Sequence, residues 1–332
     1  MNYAQFPTTL AEYLQENSID PKIYEMEGRK YFYSTVPMES LKGDAVSQSD
    51  LVSCELVPGF FSVHQNFAFS SSKLYRDGGI LPMDIGSGLA VHLLELKSSD
   101  QVLDLCCAPG GKLVLAGLFM GRNFNTDHPE VNGTLTGVDI AAHRLATCRS
   151  ILKKYKIPRT RLFCADGTRF DEKVVCFSSH KLSERSSATK AYHETTDFRK
   201  RPTIFTDNLY DKVLVDAQCT HDGSIKHVRK QMLAGWSDFD LDQFTTRQLD
   251  YLYDLQLKLL ENGFKMLKPR GVIIYSTCSL SKKQNQDIVD RFLERNIDAI
   301  PYEFEDGQYF KTMMPPEFDS GFFISRFMKR GV

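Results

Sequence analysis

No apolar run in this 332-residue chain reaches the roughly 18 residues that a membrane-spanning helix needs. Charge of one sign is not in excess either: 41 Lys and Arg stand against 42 Asp and Glu, a formal net charge of -1. That excludes an overall basic glove for polyanions but not a local basic groove, because a binding face requires only local charge. The opening stretch, MNYAQFPTTLAEYLQENSID, has no Lys or Arg. It lacks both the basic start of a secretory leader and the Arg-rich pattern of a transit peptide. CxxC pairs are missing as well: Cys106 and Cys107 are adjacent and no second pair exists, which argues against a zinc site. His221 lies close to Cys219 in sequence, yet further ligands would have to come from distant loops, and no metal is expected. The eight cysteines of this long chain read as those of a reduced, intracellular protein. Cytoplasm or nucleus is favoured, with a mitochondrial destination left open.

What is present is the composition of a globular protein, 42% apolar and 25% charged. At ~150 residues per domain the length predicts about two domains. We expect a small N-terminal α/β lobe over residues 1–90 and a larger domain over 91–332. Leu10 to Gln15 reads as a short helix, Lys30 to Ser34 as a strand and Leu89 to Leu96 as a helix. From Gln101 strands and helices alternate. Val102–Leu105, Thr134–Val138, Arg161–Cys164, Tyr210–Val215 and Gly271–Tyr275 are the strands. Leu113–Met120, Ala142–Tyr155, Gln248–Leu260 and Asn285–Arg295 are the helices, and Gly321–Phe327 is a last strand. This is the signature of a Rossmann-like, mainly parallel doubly wound α/β sheet. Its ligands sit at the C-terminal ends of the strands, where Asp139, Asp166, Asp216 and Cys278 fall. Residues 177–205, rich in Ser, Thr and charge, interrupt the pattern as a long surface loop. Its basic residues either touch a phosphate backbone or belong to a solvated insertion.

Gly110 and Gly111 follow one strand and precede a helix. The run is neither GxGxxG nor GxxxxGK[ST], so a dinucleotide or triphosphate cradle is not supported. Asp139, at the tip of the next strand, can accept from a ribose, and Asp166 from an adenine amine. A ribose site without a phosphate loop suits an adenosyl ligand that lacks phosphate, S-adenosylmethionine being the natural candidate. The alternative is a plain tight turn.

Leu103 to Lys112 (LDLCCAPGGK), Asp216 to Thr220 (DAQCT) and Ser276 to Ser279 (STCS) resemble motifs of the NOL1/NOP2/Sun family of RNA (cytosine-5) methyltransferases. The resemblance runs from about Gly59 to Lys329 and includes GGILPMDIGSG, LKPRG and the closing DSGFF. It implies a class I methyltransferase fold and S-adenosylmethionine as cofactor. Cys107, Ala108, Pro109, Gly110, Gly111 and Lys112 would line the methionine moiety, with Asp139 on the ribose, Asp166 near the adenine and Arg144 on the helix behind. Asp216 would bind the cytosine edge, Cys278 would be the nucleophile and Cys219 would assist release. Gln256 and Asn285 match positions that support these groups. Three departures stand out: Gln218 replaces the usual Pro, which would have fixed the backbone φ; His221, Asp222, Gly223 and Ser224 are an uncommon continuation; and Gln284 stands where an acidic residue is expected.

The chemistry explains the residue types. Carbon 5 of cytosine is a poor nucleophile until a thiolate adds at carbon 6, and cysteine is strongly nucleophilic even when only partly ionised. A second group near carbon 5 then helps remove its proton. RNA is the expected partner, tRNA favoured over rRNA, with no membrane and a monomer favoured. A DNA-type enzyme would carry its nucleophile in a Pro-Cys pair on the Asp216 strand. A small-molecule methyltransferase would not need both cysteines. A catalytically weak RNA-binding or assembly protein is the remaining alternative.

Overall fold

The computed structural model describes residues 1–122, 133–171, 209–315 and 318–331. Among these residues the elements in chain order are α1 (Thr8–Glu16), β1 (Arg29–Ser34), α2 (Met38–Lys42), β2 (Val52–Ser53), β3 (Phe60–His64), α3 (Lys73–Asp77), β4 (Ile80–Pro82) and α4 (Ile85–His92). There follow β5 (Gln101–Asp104), α5 (Gly111–Arg122), β6 (Thr134–Asp139), α6 (Ala142–Lys154), β7 (Thr160–Cys164) and β8 (Tyr210–Asp216). The chain closes with α7 (Ile225–Ala234), α8 (Asp238–Asp242), α9 (Thr246–Lys265), β9 (Leu267–Thr277), α10 (Gln286–Arg295), β10 (Ala299–Pro301), β11 (Phe310–Met313) and β12 (Phe322–Lys329). A four-stranded sheet has the order β2-β3-β1-β4; the larger one runs β10-β12-β9-β8-β5-β6-β7, with β11 on β12. This is the mainly parallel doubly wound α/β arrangement that the alternating pattern predicts, and the class I methyltransferase-like fold that the family resemblance implies.

The chain divides into two compact units, one of Met1–Leu89, Ala217–Lys258 and Tyr275–Arg326, the other of Ala90–Asp216, Leu259–Ile274 and Phe327–Val332. In the second, β5 pairs in parallel with both β6 and β8, and β6 with β7. Leu103 lies opposite Thr136 on one side and Val213 on the other. A strand hydrogen-bonded on both edges and covered on both faces carries few polar side chains, hence the buried run Val102–Leu103 and the buried Val213–Val215.

In the first unit the small antiparallel sheet packs aromatic and aliphatic side chains around Phe32, Val63 and Ile80. A separate core joins the N-terminus to the segment after β8. Leu10, Tyr13 and Leu14, spaced to form one stripe of α1, are buried with Ile225 and Val228 of α7 and with Phe244. Arg229 donates to the carbonyls of Tyr24 (2.6 Å) and Met26 (2.9 Å), which locks the chain after α1 to α7.

Most boundaries fall within a few residues of expectation. The helix expected over Leu89–Leu96 instead starts at Ile85 and ends at His92, and Glu95 beyond it has φ 52°, which a helix cannot continue through. β9 is longer than its apolar part because it begins at Leu267 and passes through Pro269 and Arg270, two residues that read as a break. α7, with its buried pair Ile225 and Val228, went unanticipated. The expected loop over 177–205 lies outside the described residues. The stripe of α1 yields a direct expectation. Leu10→Ala should cost about 2–5 kcal/mol of stability, since Leu10 is fully buried, measured as a lower urea midpoint with unchanged slope. A loss under about 0.5 kcal/mol would mean that the N-terminal helix is not part of the folded core.

Candidate active site

Cys219 and Cys278 follow the ends of β8 and β9. Their sulfurs are 3.3 Å apart although 59 residues separate them. The His221 ring joins them, Nδ1 lying 2.8 Å from the Cys278 sulfur and 3.8 Å from that of Cys219. His221 sits in the left-handed region, φ 56°, which turns an exposed imidazole back over the two thiols. Cys219 is buried and Cys278 half-buried. The Cys219 thiol is drawn down to about 5, first by its hydrogen bond with Cys278 and, against the opposing effect of burial, by the charge and hydrogen bond of His221.

A buried polar network holds the two loops at this spacing. Asp222 accepts from Tyr13 Oη at 3.1 Å, from the amide of Leu280 at 2.8 Å and from Thr220 Oγ1. Gln284 accepts from the Thr220 amide at 3.1 Å and donates to Thr220 Oγ1 (2.9 Å) and Ser279 Oγ (3.0 Å). A carboxylate at position 284 could not make the last two bonds, so the glutamine at this departure from the family pattern has its own use. Asn285 accepts from Thr277 Oγ1 at 2.7 Å and donates to the Ser279 carbonyl at 2.9 Å. Gln256 donates to the Gln218 carbonyl at 2.8 Å, which anchors the backbone before Cys219 where the ring of a proline is missing. Gly223 lets the loops approach: a Cβ there would lie 2.8 Å from the carbonyl oxygens of both Cys278 and Gly321.

The other expected residues surround the loop between β5 and α5. Gly110 has φ +108°, and a Cβ on it would meet the Cys148 sulfur at 2.7 Å. Gly111 opens α5. Lys112 Nζ bonds Asp216 Oδ2 at 2.6 Å. Asp139, only 4% exposed, accepts from the amides of Ala108 (3.3 Å) and Ala141 (2.9 Å). Arg144 lies 3.5 Å from it and donates to the Ala108 carbonyl at 2.6 Å. Asp166, on the exposed turn beyond β7, accepts from the amide and hydroxyl of Thr168. Pro109 is exposed. Cys107 is buried and its amide donates to the Val138 carbonyl, so neither its thiol nor its N–H is open to a ligand. Burial and the nearby Asp104, Asp216 and Asp139 push the Cys106 thiol up. Two residues were missed. His221 reads from the sequence as a weak metal-ligand candidate or a surface polar residue and not as a partner of the nucleophile, because two-residue spacing from Cys219 does not reveal the approach of Cys278. Ile140 is 73% exposed directly after Asp139; an apolar residue past an acidic strand end was the available signal.

These features suit an adenosyl ligand: acceptors at neighbouring strand ends, an exposed aliphatic surface beside them, and no glycine cradle for phosphates. Among the described residues no helix is long and apolar enough to cross a membrane.

A family model described as 16S rRNA methyltransferase RsmB/F matches residues 181–328. The 5-cytosine rRNA methyltransferase NSUN4 of Bos taurus is 32% identical over 70% of this chain and 50% of its own length. The mitochondrial tRNA (cytosine(34)-C(5))-methyltransferase of Mus musculus is 28% identical over 67% of the chain and 50% of its own. Names that specify ribosomal RNA recur among bacterial and vertebrate relatives. The chain spans about half the length, or less, of the curated relatives it matches. A methyltransferase homologue from Pyrococcus horikoshii shares the fold, with a TM-score of 0.67 at 20% identity over 99% of this chain and 93% of that one.

Asp104 gives this region a pH signature. Burial first, then the Asp216 carboxylate, lift it to about 7, above the ~3.9 of an unfolded Asp. The native state therefore keeps a proton that the unfolded chain has released. The stability this contributes is full below about pH 4 and is lost as pH rises through about 7. Asp104→Asn, which keeps an acceptor for the Cys106 amide, should flatten that decline in unfolding midpoints taken at about pH 5 and 8. Parallel curves for the two proteins would show Asp104 ionised throughout.

Proposed function

Since the chain is a family-level match to the NOL1/NOP2/Sun RNA (cytosine-5) methyltransferases, the RsmB- and NSUN-like group, we propose that it methylates carbon 5 of a cytosine in RNA. The single observation that carries this reading is the pair of strand-end thiols 3.3 Å apart with an imidazole against them. One cysteine serves addition to carbon 6, the other the proton at carbon 5.

In this reading His221 Nδ1 takes the proton of the Cys278 thiol. The thiolate adds to carbon 6 of cytosine, and the electron pair displaced onto carbon 5 would take up the methyl group as the methyl–sulfur bond of the sulfonium breaks and the neutral thioether, S-adenosylhomocysteine, leaves. S-adenosylmethionine supplies that methyl as an activated sulfonium. Cys219 then takes the proton from carbon 5, the double bond re-forms, and the bond from Cys278 to carbon 6 breaks. Asp216, held by Lys112, accepts from the exocyclic amine. Asp139 and Asp166 take the ribose and adenine of the cofactor, Ile140 packs on the adenine, and the loop from Cys107 to Lys112 borders the methionine part. Arg144 fixes that loop through the Ala108 carbonyl. The names of the relatives move the preferred substrate from tRNA, favoured by the sequence, to rRNA. The mitochondrial mouse relative likewise gives the mitochondrion more weight than the opening residues did. Residues 1–90 serve as the RNA-gripping part of the proposed division, with 91–332 as the methyltransferase domain.

The cysteines can be tested separately. With cytosine-containing RNA and S-adenosylmethionine, Cys278→Ala should abolish both methyl transfer and the covalent protein–RNA species on a denaturing gel. Cys219→Ala should allow addition but stall elimination, so that the slow-migrating species accumulates. An adduct that persists in Cys278→Ala but requires Cys219 would reverse the roles. Unchanged methylation in both variants would dismiss the site.

A further inference from the structure

We propose that Cys219, His221 and Cys278 form a three-ligand site for a borderline-soft divalent cation of the zinc type, open to solvent at its fourth position. Each offers one donor atom, two sulfurs and one ring nitrogen, and the three lie within 4.8 Å of one another. Sequence spacing could not supply this set, because the second thiolate arrives from 59 residues away.

The distances decide between a metal and the other chemistry open to neighbouring thiols. Zinc bonds sulfur at about 2.3 Å and imidazole nitrogen at about 2.0–2.1 Å, so a tetrahedral site separates two sulfurs by about 3.8 Å and sulfur from nitrogen by about 3.6 Å. Here the sulfurs are 3.3 Å apart and the nitrogen is 2.8 and 3.8 Å from them. The largest adjustment is below about 1 Å, within reach of side-chain rotation of the half-buried Cys278 and the exposed His221. A disulfide, with sulfurs at about 2.05 Å, requires the thiols to close by more than about 1 Å. It also requires an oxidant. Metal binding needs none: any thiol proton still held leaves to solvent, two thiolates and a neutral imidazole bind the ion, and a water takes the fourth place. His221 is pre-set for this, since the nitrogen that ligates is the one already facing the sulfurs. The network through Asp222, Gln284 and Asn285 fixes the loops that present the ligands, as supporting shells do at metal sites.

A metal on Cys278 excludes its addition to a base, so an occupied site is a silenced one. That consequence rests on the methyltransferase reading; the binding itself does not. The test uses the whole chain without RNA or cofactor. Titration with cobalt(II) should give a thiolate-to-metal charge-transfer band that saturates at one ion per chain, and zinc(II) should bleach it. Cys278→Ser and Cys219→Ser should each weaken binding by more than about tenfold, and the double variant should lose the band, with thermal unfolding as the control for folding. His221→Ala should weaken binding while keeping the band. No band in the folded wild-type protein, a band that survives in the double Ser variant, or an affinity indifferent to His221 would each overturn the site. Such a failure leaves the methylation assay untouched, and inactive protein that still binds cobalt would separate the two ideas in the other direction.

Discussion

The candidate active site depends on Asp222. Its carboxylate is fully buried and accepts from a side chain of α1, from the loop that carries Cys219 and from the backbone that follows Cys278. Three segments far apart in sequence thus share one charge. The geometry is demanding because the groups are buried; a buried donor that loses its partner costs about 1–3 kcal/mol. Gln284 repeats the device from the other side, its single amide serving Thr220 as both acceptor and donor. The thiols are close because the loops that bear them cannot be elsewhere.

Environment separates cysteines that composition treats alike. Cys106 and Cys107 adjoin a strand end, and their thiols are raised, that of Cys106 first by burial and then by the nearby carboxylates, that of Cys107 first by its hydrogen bond with Cys148 and then by burial, which leaves them inert as nucleophiles. Cys219 also follows a strand end, but a hydrogen-bonding thiol and an imidazole face it, and its shift has the opposite sign. Burial acts against the thiolate in all three; the neighbours decide the outcome. Asp104 is likewise held up, by burial first and then by the Asp216 carboxylate.

Much of this was legible beforehand because it is local. Apolar runs ending in Asp139, Asp216 or Thr277 mark strands whose ends carry chemistry, and their alternation with helices marks a parallel sheet. What escaped was relational. His221 looks ordinary until Cys278 is brought to it. Asp222 and Gln284 read as departures from a motif, and their purpose appears only when Tyr13, Thr220 and Ser279 are seen around them. α7 went unread although Ile225, Val228 and Met232 recur at helical spacing; the apolar side chains of α1 that cover this face lie far away in sequence. β9 begins before its expected start because pairing within the sheet outweighs the tendency of Pro269 to break a strand.

The central claim is that Cys278 bonds the base while Cys219 serves release. The measurement that meets it most directly is peptide mapping by mass spectrometry of wild-type protein incubated with S-adenosylmethionine and RNA containing 5-fluorocytidine, whose carbon 5 has no proton to give up. The account predicts one RNA-derived mass increment, methyl group included, on the peptide that holds Cys278 and none on that of Cys219. An increment on the Cys219 peptide, or no cofactor-dependent adduct with a folded protein, would contradict it.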